Sequence, residues 1–149
     1  DDIETIHAAT DLLAEAKLSP ELRNEALYYR AKAYTKQKAD KKAMEDYREL
    51  AKDTRNPYGA EAKYQVAQSL YDAKEYAAAE KELLNYIEQS TPHAYWLARS
   101  FVLLSDVYHA TGKDLDARQY LLSLQQNYQG NDDIESMIES RLSKLKVEN

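Results

Sequence analysis

The three histidines are the first residues to consider for chemistry, because imidazole is the commonest metal ligand and a frequent general base near neutral pH. They stand far apart, at His7, His93 and His109, and no two have the i, i+4 spacing that places both ligands on one helix face. The chain has no cysteine, which excludes disulfides, thiolate nucleophiles and cysteine-based zinc sites. The sequence therefore predicts no metal site.

The sequence supports neither a phosphate-binding loop nor an acid–base catalytic site. Gly59, Gly112 and Gly130 are isolated, so they cannot form the glycine-rich turn that cradles a phosphate or dinucleotide. Most carboxylates alternate with lysines, as on a solvated helix face, and Asp132 and Asp133 stand where a helix N-terminus favours negative charge. We expect a protein that is not an enzyme and needs no cofactor.

Charge and hydropathy restrict the classes of partner that the chain is expected to bind. The 149 residues suit about one domain. A net charge of −6 argues against general nucleic-acid affinity, which depends on clustered Lys and Arg. The longest apolar run, residues 94–98, has five residues, against about 20 for a bilayer span. We expect a protein or peptide partner, no nucleic acid and no direct membrane insertion.

The elements that position these residues are predicted by the prolines. Each of the three follows a helix-capping residue, in the pairs Ser19-Pro20, Asn56-Pro57 and Thr91-Pro92. Such a residue at the N-cap and Pro at the first helical position are typical of a helix start. Three long helices are predicted from these points, each followed by a polar turn, at 38–40, 73–75 and 111–113, and by a second helix. Asp40 and Asp114 are predicted N-caps of two of the second helices.

Small residues recur in register within these helix pairs. The first helices carry Ala31, Ala67 and Ser105, and twelve positions later the second helices carry Ala43, Ala79 and Ala117. Large residues accompany them in register: Tyr34, Leu70 and Tyr108, then Tyr47, Leu83 and Leu121, then Leu50, Tyr86 and Leu124. Small residues let helix backbones approach closely while large ones fill the space beside them, so the pattern predicts packed antiparallel helix pairs.

In this register the chain resembles the tetratricopeptide repeat family, whose unit of about 34 residues places a small residue, an aromatic residue and a turn before an Ala. The best match is the segment 103–112 followed by Ala117, and the likeness covers residues 19–128. The spacings here, 36 and then 38, are longer than the family unit. The resemblance implies an all-α fold, a right-handed α-α superhelix of about eight helices.

The ends extend this array. Ile3, Ile6, Ala9, Leu13 and Ala16 form an apolar stripe at helical spacing, and Ile134, Met137, Ile138, Leu142 and Leu145 form another. We predict one solenoid domain over residues 1–149, divided into the second helix of a truncated repeat (1–18), three repeats (19–55, 56–90 and 91–130) and a C-terminal capping helix (131–149). The chain is expected to be a fragment of a longer protein, cut at its amino end, with the carboxyl end closing the array.

The resemblance also implies a binding face, because first helices line the concave side of such a stack. The chain has 13 Tyr against one Phe and one Trp, and Tyr combines an apolar face with a hydroxyl that tolerates water. For Tyr34, Tyr47, Tyr86 and Tyr108 we expect packing between helices. The predicted partner-binding residues are Tyr28, Tyr29, Lys32, Thr35, Tyr64, Gln68, Tyr71, Arg99, Val102, Asp106 and His109.

Three functions are open at this point. The first is a scaffold that binds a peptide or helix in the concave groove; the second is a self-assembling structural segment, with a homodimer through the exposed N-terminal helix; the third is a non-catalytic arm of a multidomain enzyme or sensor. The stretches 57–64 and 95–100 are similar to repeat proteins of the bacterial envelope, of the Tol-Pal-associated and outer-membrane assembly kinds. This likeness implies a scaffold in the periplasm or at the outer membrane, although the composition also permits the cytoplasm.

Overall fold

The computed structural model describes residues 1–89 and 91–145, and this part of the chain is helical throughout, with eight α-helices and no strand. The helices are α1 (Asp2–Leu13), α2 (Pro20–Lys36), α3 (Asp40–Leu50), α4 (Pro57–Asp72), α5 (Tyr76–Glu88), α6 (Ala94–Ala110), α7 (Asp114–Asn127) and α8 (Ile134–Leu142). The predicted all-α class and number of helices are confirmed. Ser90 and residues 146–149, the ends of two predicted segments, lie outside the described residues.

The chain forms two compact units, Asp1–Val66 and Ala67–Asn149, and the division falls within α4. In the first unit α2 packs against both α1 and α3. In the second unit α6 packs against α5, α7 and α8, and α7 also contacts α8. Each unit therefore has a central helix, α2 or α6, that carries part of the predicted binding face.

The small residues lie where the repeat pattern requires close packing. All six are buried, the most exposed being Ala43 at 3%. The large residues of the second helices are buried too, namely Tyr47, Leu50, Leu83, Tyr86, Leu121 and Leu124. In the first helices Tyr108 is buried, whereas Tyr34 and Leu70 are half-buried. The repeating register thus specifies the core of each helix pair.

The three turns inside the helix pairs have the same backbone conformation. Lys38, Lys74 and Gly112 have φ of 58°, 61° and 79°, in the left-handed region. The next amide donates to the carbonyl five residues earlier in each case, as from Ala39 to Tyr34 at 2.8 Å. This is the Schellman arrangement that satisfies the free carbonyls at a helix C-terminus. The turns are spaced by 36 and then 38 residues, as the small residues are.

Two of the three predicted helix starts are confirmed. Ser19 Oγ accepts the Leu22 amide at 3.2 Å, and Asn56 Oδ1 accepts the Gly59 amide at 2.8 Å. The third was wrong: α6 begins at Ala94, and His93 takes the N-cap position without a side-chain cap. The Thr91 hydroxyl donates instead to the Tyr86 hydroxyl at 3.0 Å.

The predicted N-caps of two second helices also need correction. Asp40 and Asp114 are the first residues inside α3 and α7, while Ala39 and Lys113 take the N-cap positions with no side-chain hydrogen bond. Acidic side chains in the first turn still favour these helices, because they lie at the positive end of the helix dipole.

Gly59 makes a close backbone contact at the start of α4. A Cβ atom built on it would overlap the carbonyl oxygen of Asp53 and lie 2.8 Å from that of Leu50. The Asn56 side chain reinforces the junction, since its Nδ2 donates to the Asp53 carbonyl at 2.9 Å. Glycine is therefore required where the end of α3 meets α4, a role the sequence did not reveal.

The terminal helices differ in how far they are buried. In α1 only Ala9 is buried and Ile3 is 54% exposed, while Ala16 follows the end of the helix. In α8, by contrast, Ile134 and Ile138 belong to the core of the second unit. The helix α8 thus packs on α6 and α7.

Candidate functional site

Four predicted binding residues come together in the second unit. Gln68 and Tyr71 of α4 and Asp106 and His109 of α6 line one cavity of about 380 Å³. The remaining lining residues are Ser105, Arg141, Lys144 and Leu145. Three helices therefore build this cavity, and we call it the α8 cavity because Arg141 of α8 forms one wall.

An ion pair joins two walls of the α8 cavity. Arg141 Nε donates to Asp106 Oδ1 at 3.2 Å, and Arg141 Nη2 donates to Asp106 Oδ2 at 3.3 Å. The side chains are 34% and 21% exposed. A two-point contact of this kind fixes the plane of the guanidinium as well as its position. Arg141 is therefore held in a defined orientation at the edge of the cavity.

Two further polar side chains of the α8 cavity, those of Gln68 and His109, are also oriented by hydrogen bonds. Gln68 Nε2 donates to Asp72 Oδ1 at 2.9 Å, and His109 Nδ1 lies 2.8 Å from Asp114 Oδ1. Burial raises the pKa of Tyr71, and the negative charge of Asp106 acts in the same direction. The Tyr71 hydroxyl is protonated at neutral pH, as an ordinary tyrosine is, and can donate a hydrogen bond.

A second group of predicted residues lies in the first unit. Lys32 Nζ donates to the Tyr28 hydroxyl at 2.8 Å, and that hydroxyl donates to Glu61 Oε1 at 2.9 Å. Lys32 Nζ is also 3.6 Å from Glu61 Oε2 and 4.8 Å from the centre of the Tyr28 ring. The Tyr58 ring lies 4.7 Å from the Tyr28 ring. We call Tyr28, Lys32, Tyr58 and Glu61 the tyrosine cluster.

The tyrosine cluster shifts the ionisation of its own members. Burial raises the pKa of Tyr28, and the hydrogen bond to Tyr28 raises the pKa of Lys32. Lys32 is therefore a cation whose charge is balanced by Glu61, and the cluster is internally satisfied. Nearby, Tyr29 is 49% exposed, and Thr35 donates to the Ala31 carbonyl at 3.0 Å.

Two predicted binding residues are not on the surface, which corrects that part of the prediction. Val102 is 3% exposed and belongs to the core that α8 completes with Ile134 and Ile138. Tyr64 is 5% exposed. Repeat register alone assigned both to an open face, and for Val102 it did not allow for α8, which packs over it.

Arg99 has a position of its own, apart from the residues of the α8 cavity. Its Nη1 donates to the Tyr95 hydroxyl at 3.0 Å, and its guanidinium carbon lies 5.8 Å from the centres of the Tyr95 and Trp96 rings. The Tyr95 hydroxyl in turn donates to Asp133 Oδ1 at 3.0 Å. Arg99 thus stiffens the start of α6 by packing on aromatic rings.

The prediction missed Arg141 and Lys144, although the sequence carries a signal for Arg141. Ile134, Ile138, Arg141 and Leu145 share one stripe at helical spacing, so a charged residue interrupts an otherwise apolar face. A charge at such a position requires a partner on the helix it packs against. Here that partner is Asp106.

Metal binding and membrane insertion have no structural support in the described part of the chain. No cluster of three or more His, Asp or Glu side chains within residues 1–89 and 91–145 could hold a metal ion. Over the same residues, no helix combines the length and the apolar character needed to cross a bilayer.

Comparisons with known proteins give no family assignment, because no family model, no curated protein and no solved structure matches the chain. The likeness to tetratricopeptide repeats remains a prediction from the small and large residues in repeat register. The class that the structure itself defines is an all-α protein of repeated helix pairs.

Proposed function

We propose that this chain is a non-catalytic protein-interaction module of the tetratricopeptide type, which binds a peptide or a helix of a partner protein. One observation carries the proposal: Gln68, Tyr71, Asp106 and His109, chosen from repeat register as binding residues, line a single cavity with Arg141. Such a cavity offers an aromatic face, hydrogen-bond donors and an oriented guanidinium. Tyr and Arg are among the residue types that dominate binding energy at protein interfaces.

The dimensions of the α8 cavity favour a side chain as its occupant. A volume of about 380 Å³ lies at the lower end of the range for small-molecule sites, about 300–1,000 Å³. Its walls are mostly polar and charged, whereas small-molecule sites are lined mainly by apolar groups. A groove that accepts one or two side chains of a longer peptide suits this composition better. The sequence likeness to envelope repeat proteins supports a scaffolding role in the periplasm.

Peptide selection tests the proposal with no assumption about which protein is the partner. Random-sequence peptides displayed on phage are selected on the immobilised protein, and the affinities of the enriched peptides are measured by fluorescence anisotropy. We expect Tyr71→Ala to weaken binding by about tenfold, equivalent to about 1.4 kcal/mol. Leu115→Ala, which truncates a 60% exposed side chain of α7 outside the cavity, is the control and should leave the affinity unchanged.

Two results would contradict the proposal. One is a selection that enriches no peptide above the background of heat-denatured protein. The other is an enriched peptide whose affinity survives Tyr71→Ala in a variant that circular dichroism reports as folded. The second result would place the working surface away from the α8 cavity.

Self-association is a second candidate, favoured by the surface of the first unit. Ile3, Leu22 and Tyr29 are 54%, 46% and 49% exposed, and Leu22 and Tyr29 border a mainly apolar depression between α1 and α2. Exposed apolar surface of this kind marks interaction sites. Sedimentation velocity over a concentration series, with Leu22→Ser as the disrupting variant, would detect a dimer. A single monomer peak at every concentration would exclude it.

A further inference from the structure

The α8 cavity has a local charge opposite to that of the whole protein. The chain carries a net charge of −6, yet Arg141 and Lys144 both line the cavity. The only acid among its described lining residues is Asp106, which is already bound to Arg141. One positive charge is therefore left without a counter-charge in the lining.

Hydrogen-bond donors remain available in the α8 cavity. Asp106 accepts one hydrogen bond from Nε and one from Nη2 of Arg141, and Nη1 makes no hydrogen bond within residues 1–89 and 91–145. In the same part of the chain the Tyr71 hydroxyl and Lys144 Nζ also donate to no acceptor. Because Asp106 fixes the guanidinium plane, Arg141 can bind a second acceptor with little loss of side-chain entropy.

The residues that line the α8 cavity also restrict which kind of anion it can bind. Gln68, Tyr71, Asp106 and His109 lie inside helices, where backbone amides are committed to helical hydrogen bonds. The Lys144 amide is committed as well, to the Arg141 carbonyl at 3.0 Å. A terminal carboxylate is commonly captured by a nest of backbone amides, and these helical amides cannot form one.

The charge balance distinguishes a carboxylate from a phosphoryl group. A carboxylate brings one negative charge, which matches the net charge of +1 that Arg141, Lys144 and Asp106 give the described lining residues. A phosphoryl group brings about two at neutral pH and would leave an excess of negative charge beside Asp106. A carboxylate borne by a side chain therefore fits the cavity best.

We propose, building on the proposed peptide-binding function, that the α8 cavity is a subsite for the side-chain carboxylate of an Asp or Glu in the bound peptide. Arg141 Nη1, Lys144 Nζ and the Tyr71 hydroxyl are its donors. On this view α8 has two roles. Ile134 and Ile138 complete the core of the second unit, while Arg141 near the end of α8 and Lys144 just after the helix supply the charge that selects the ligand.

The experiment uses the peptides enriched on the wild-type protein. Each acidic residue of an enriched peptide is replaced by its amide, Asp by Asn or Glu by Gln, and the affinity is measured by fluorescence anisotropy. Each peptide is also made with an amidated C-terminus. On the protein side Lys144→Gln is the informative variant, since it breaks no ion pair present among the described residues. Lys81→Gln, on the exposed surface of α5, is the control of equal charge.

We expect Asp or Glu to be enriched among the selected peptides, and amide replacement of one acidic residue to weaken binding about tenfold. Lys144→Gln should weaken wild-type peptide binding about threefold or more but leave the amide-substituted peptide unaffected, while Lys81→Gln changes neither. Arg141→Gln combined with Asp106→Asn, which keeps a neutral pair at the wall, should weaken acidic-peptide binding about tenfold.

Three outcomes would overturn the subsite. Peptides that bind through the α8 cavity without any acidic side chain would rule out the carboxylate subsite but leave the proposed function intact. A loss of affinity on C-terminal amidation alone would assign the carboxylate to the chain end. A selection that yields no peptide would remove both the subsite and the proposed function.

Discussion

The ion pair between Arg30 and Asp46 allows a stability prediction that follows directly from its geometry. Arg30 Nε and Nη2 donate to the two Asp46 oxygens at 2.8 and 2.7 Å, and Nη1 donates to Thr10 at 3.1 Å. The Asp46 side chain is 6% exposed and that of Arg30 is 19% exposed. This one guanidinium therefore links α1, α2 and α3. Replacing it by the neutral side chain of Met should destabilise the first unit.

The magnitude follows from what Arg30→Met leaves behind. Removing one partner of a buried ion pair costs about 3–5 kcal/mol, because the other charge stays buried without compensation. Water can reach part of this site, so we expect about 3 kcal/mol, the low end of the range. Asp46→Leu combined with Arg30→Met removes both charges and should recover most of the loss, to within about 1 kcal/mol of the wild type.

Urea unfolding followed by far-ultraviolet circular dichroism measures this difference. At a typical slope of about 1–3 kcal/mol per M, a loss of 3 kcal/mol lowers the midpoint by about 1–3 M. Arg23→Met is the matched control: Arg23 pairs with Glu49 at 3.2 Å, but the side chains are 46% and 39% exposed. That pair should contribute at most about 1 kcal/mol. Equal midpoints for Arg30→Met and Arg23→Met would refute the reasoning.

Three further predictions concern the turns, one helix junction and the ionisation of one tyrosine. Lys38→Gly and Lys74→Gly should each raise the free energy of unfolding by about 0.5–1 kcal/mol, because glycine adopts positive φ without steric cost, and Gly112→Ala should lower it by a similar amount. Thermal unfolding by calorimetry checks both signs. Gly59→Ala should lower the same free energy by at least about 2 kcal/mol, since its Cβ meets backbone that cannot move aside; an unchanged midpoint in urea would show that the junction yields. Burial and Asp132 raise the pKa of Tyr128 to about 12, so as the pH rises the unfolded chain loses this proton before the folded protein does. The contribution of Tyr128 to the free energy of unfolding is therefore complete below about pH 10 and falls as the pH rises towards 12. Urea midpoints measured across this range should fall less steeply for Tyr128→Phe than for the wild type.

The sequence predicted the helix pairs well because their determinants are local. A small residue, a turn and a second small residue twelve positions later recur three times, and each is read within a short segment. The Schellman turn at Lys38 needs only backbone hydrogen bonds between neighbouring residues. The start of α6 was misplaced by two residues: His93 takes the N-cap position while the Thr91 hydroxyl donates to Tyr86, a choice between neighbouring residues that their types alone do not reveal.

The candidate site was predicted only in part, because repeat register does not describe every helix that builds it. Tyr71, Asp106 and His109 follow from repeat register, which places them on comparable faces of successive first helices. Arg141 lies beyond the last repeat, so register says nothing about it. Val102 was misassigned because α8 packs on α6 and buries a face that register treats as open. Both errors come from one helix whose packing no repeat pattern describes.

The uniform turns within the helix pairs also bear on how quickly the protein folds. Each turn closes through hydrogen bonds between residues at most five apart, so little chain entropy is lost before the two flanking helices meet. Helix pairs such as α2 with α3 and α6 with α7 are neighbours along the chain, and proteins dominated by such local contacts fold in microseconds to milliseconds. The Arg141 wall of the cavity differs from these pairs, because it requires α8 to pack on α6, which is not its neighbour along the chain.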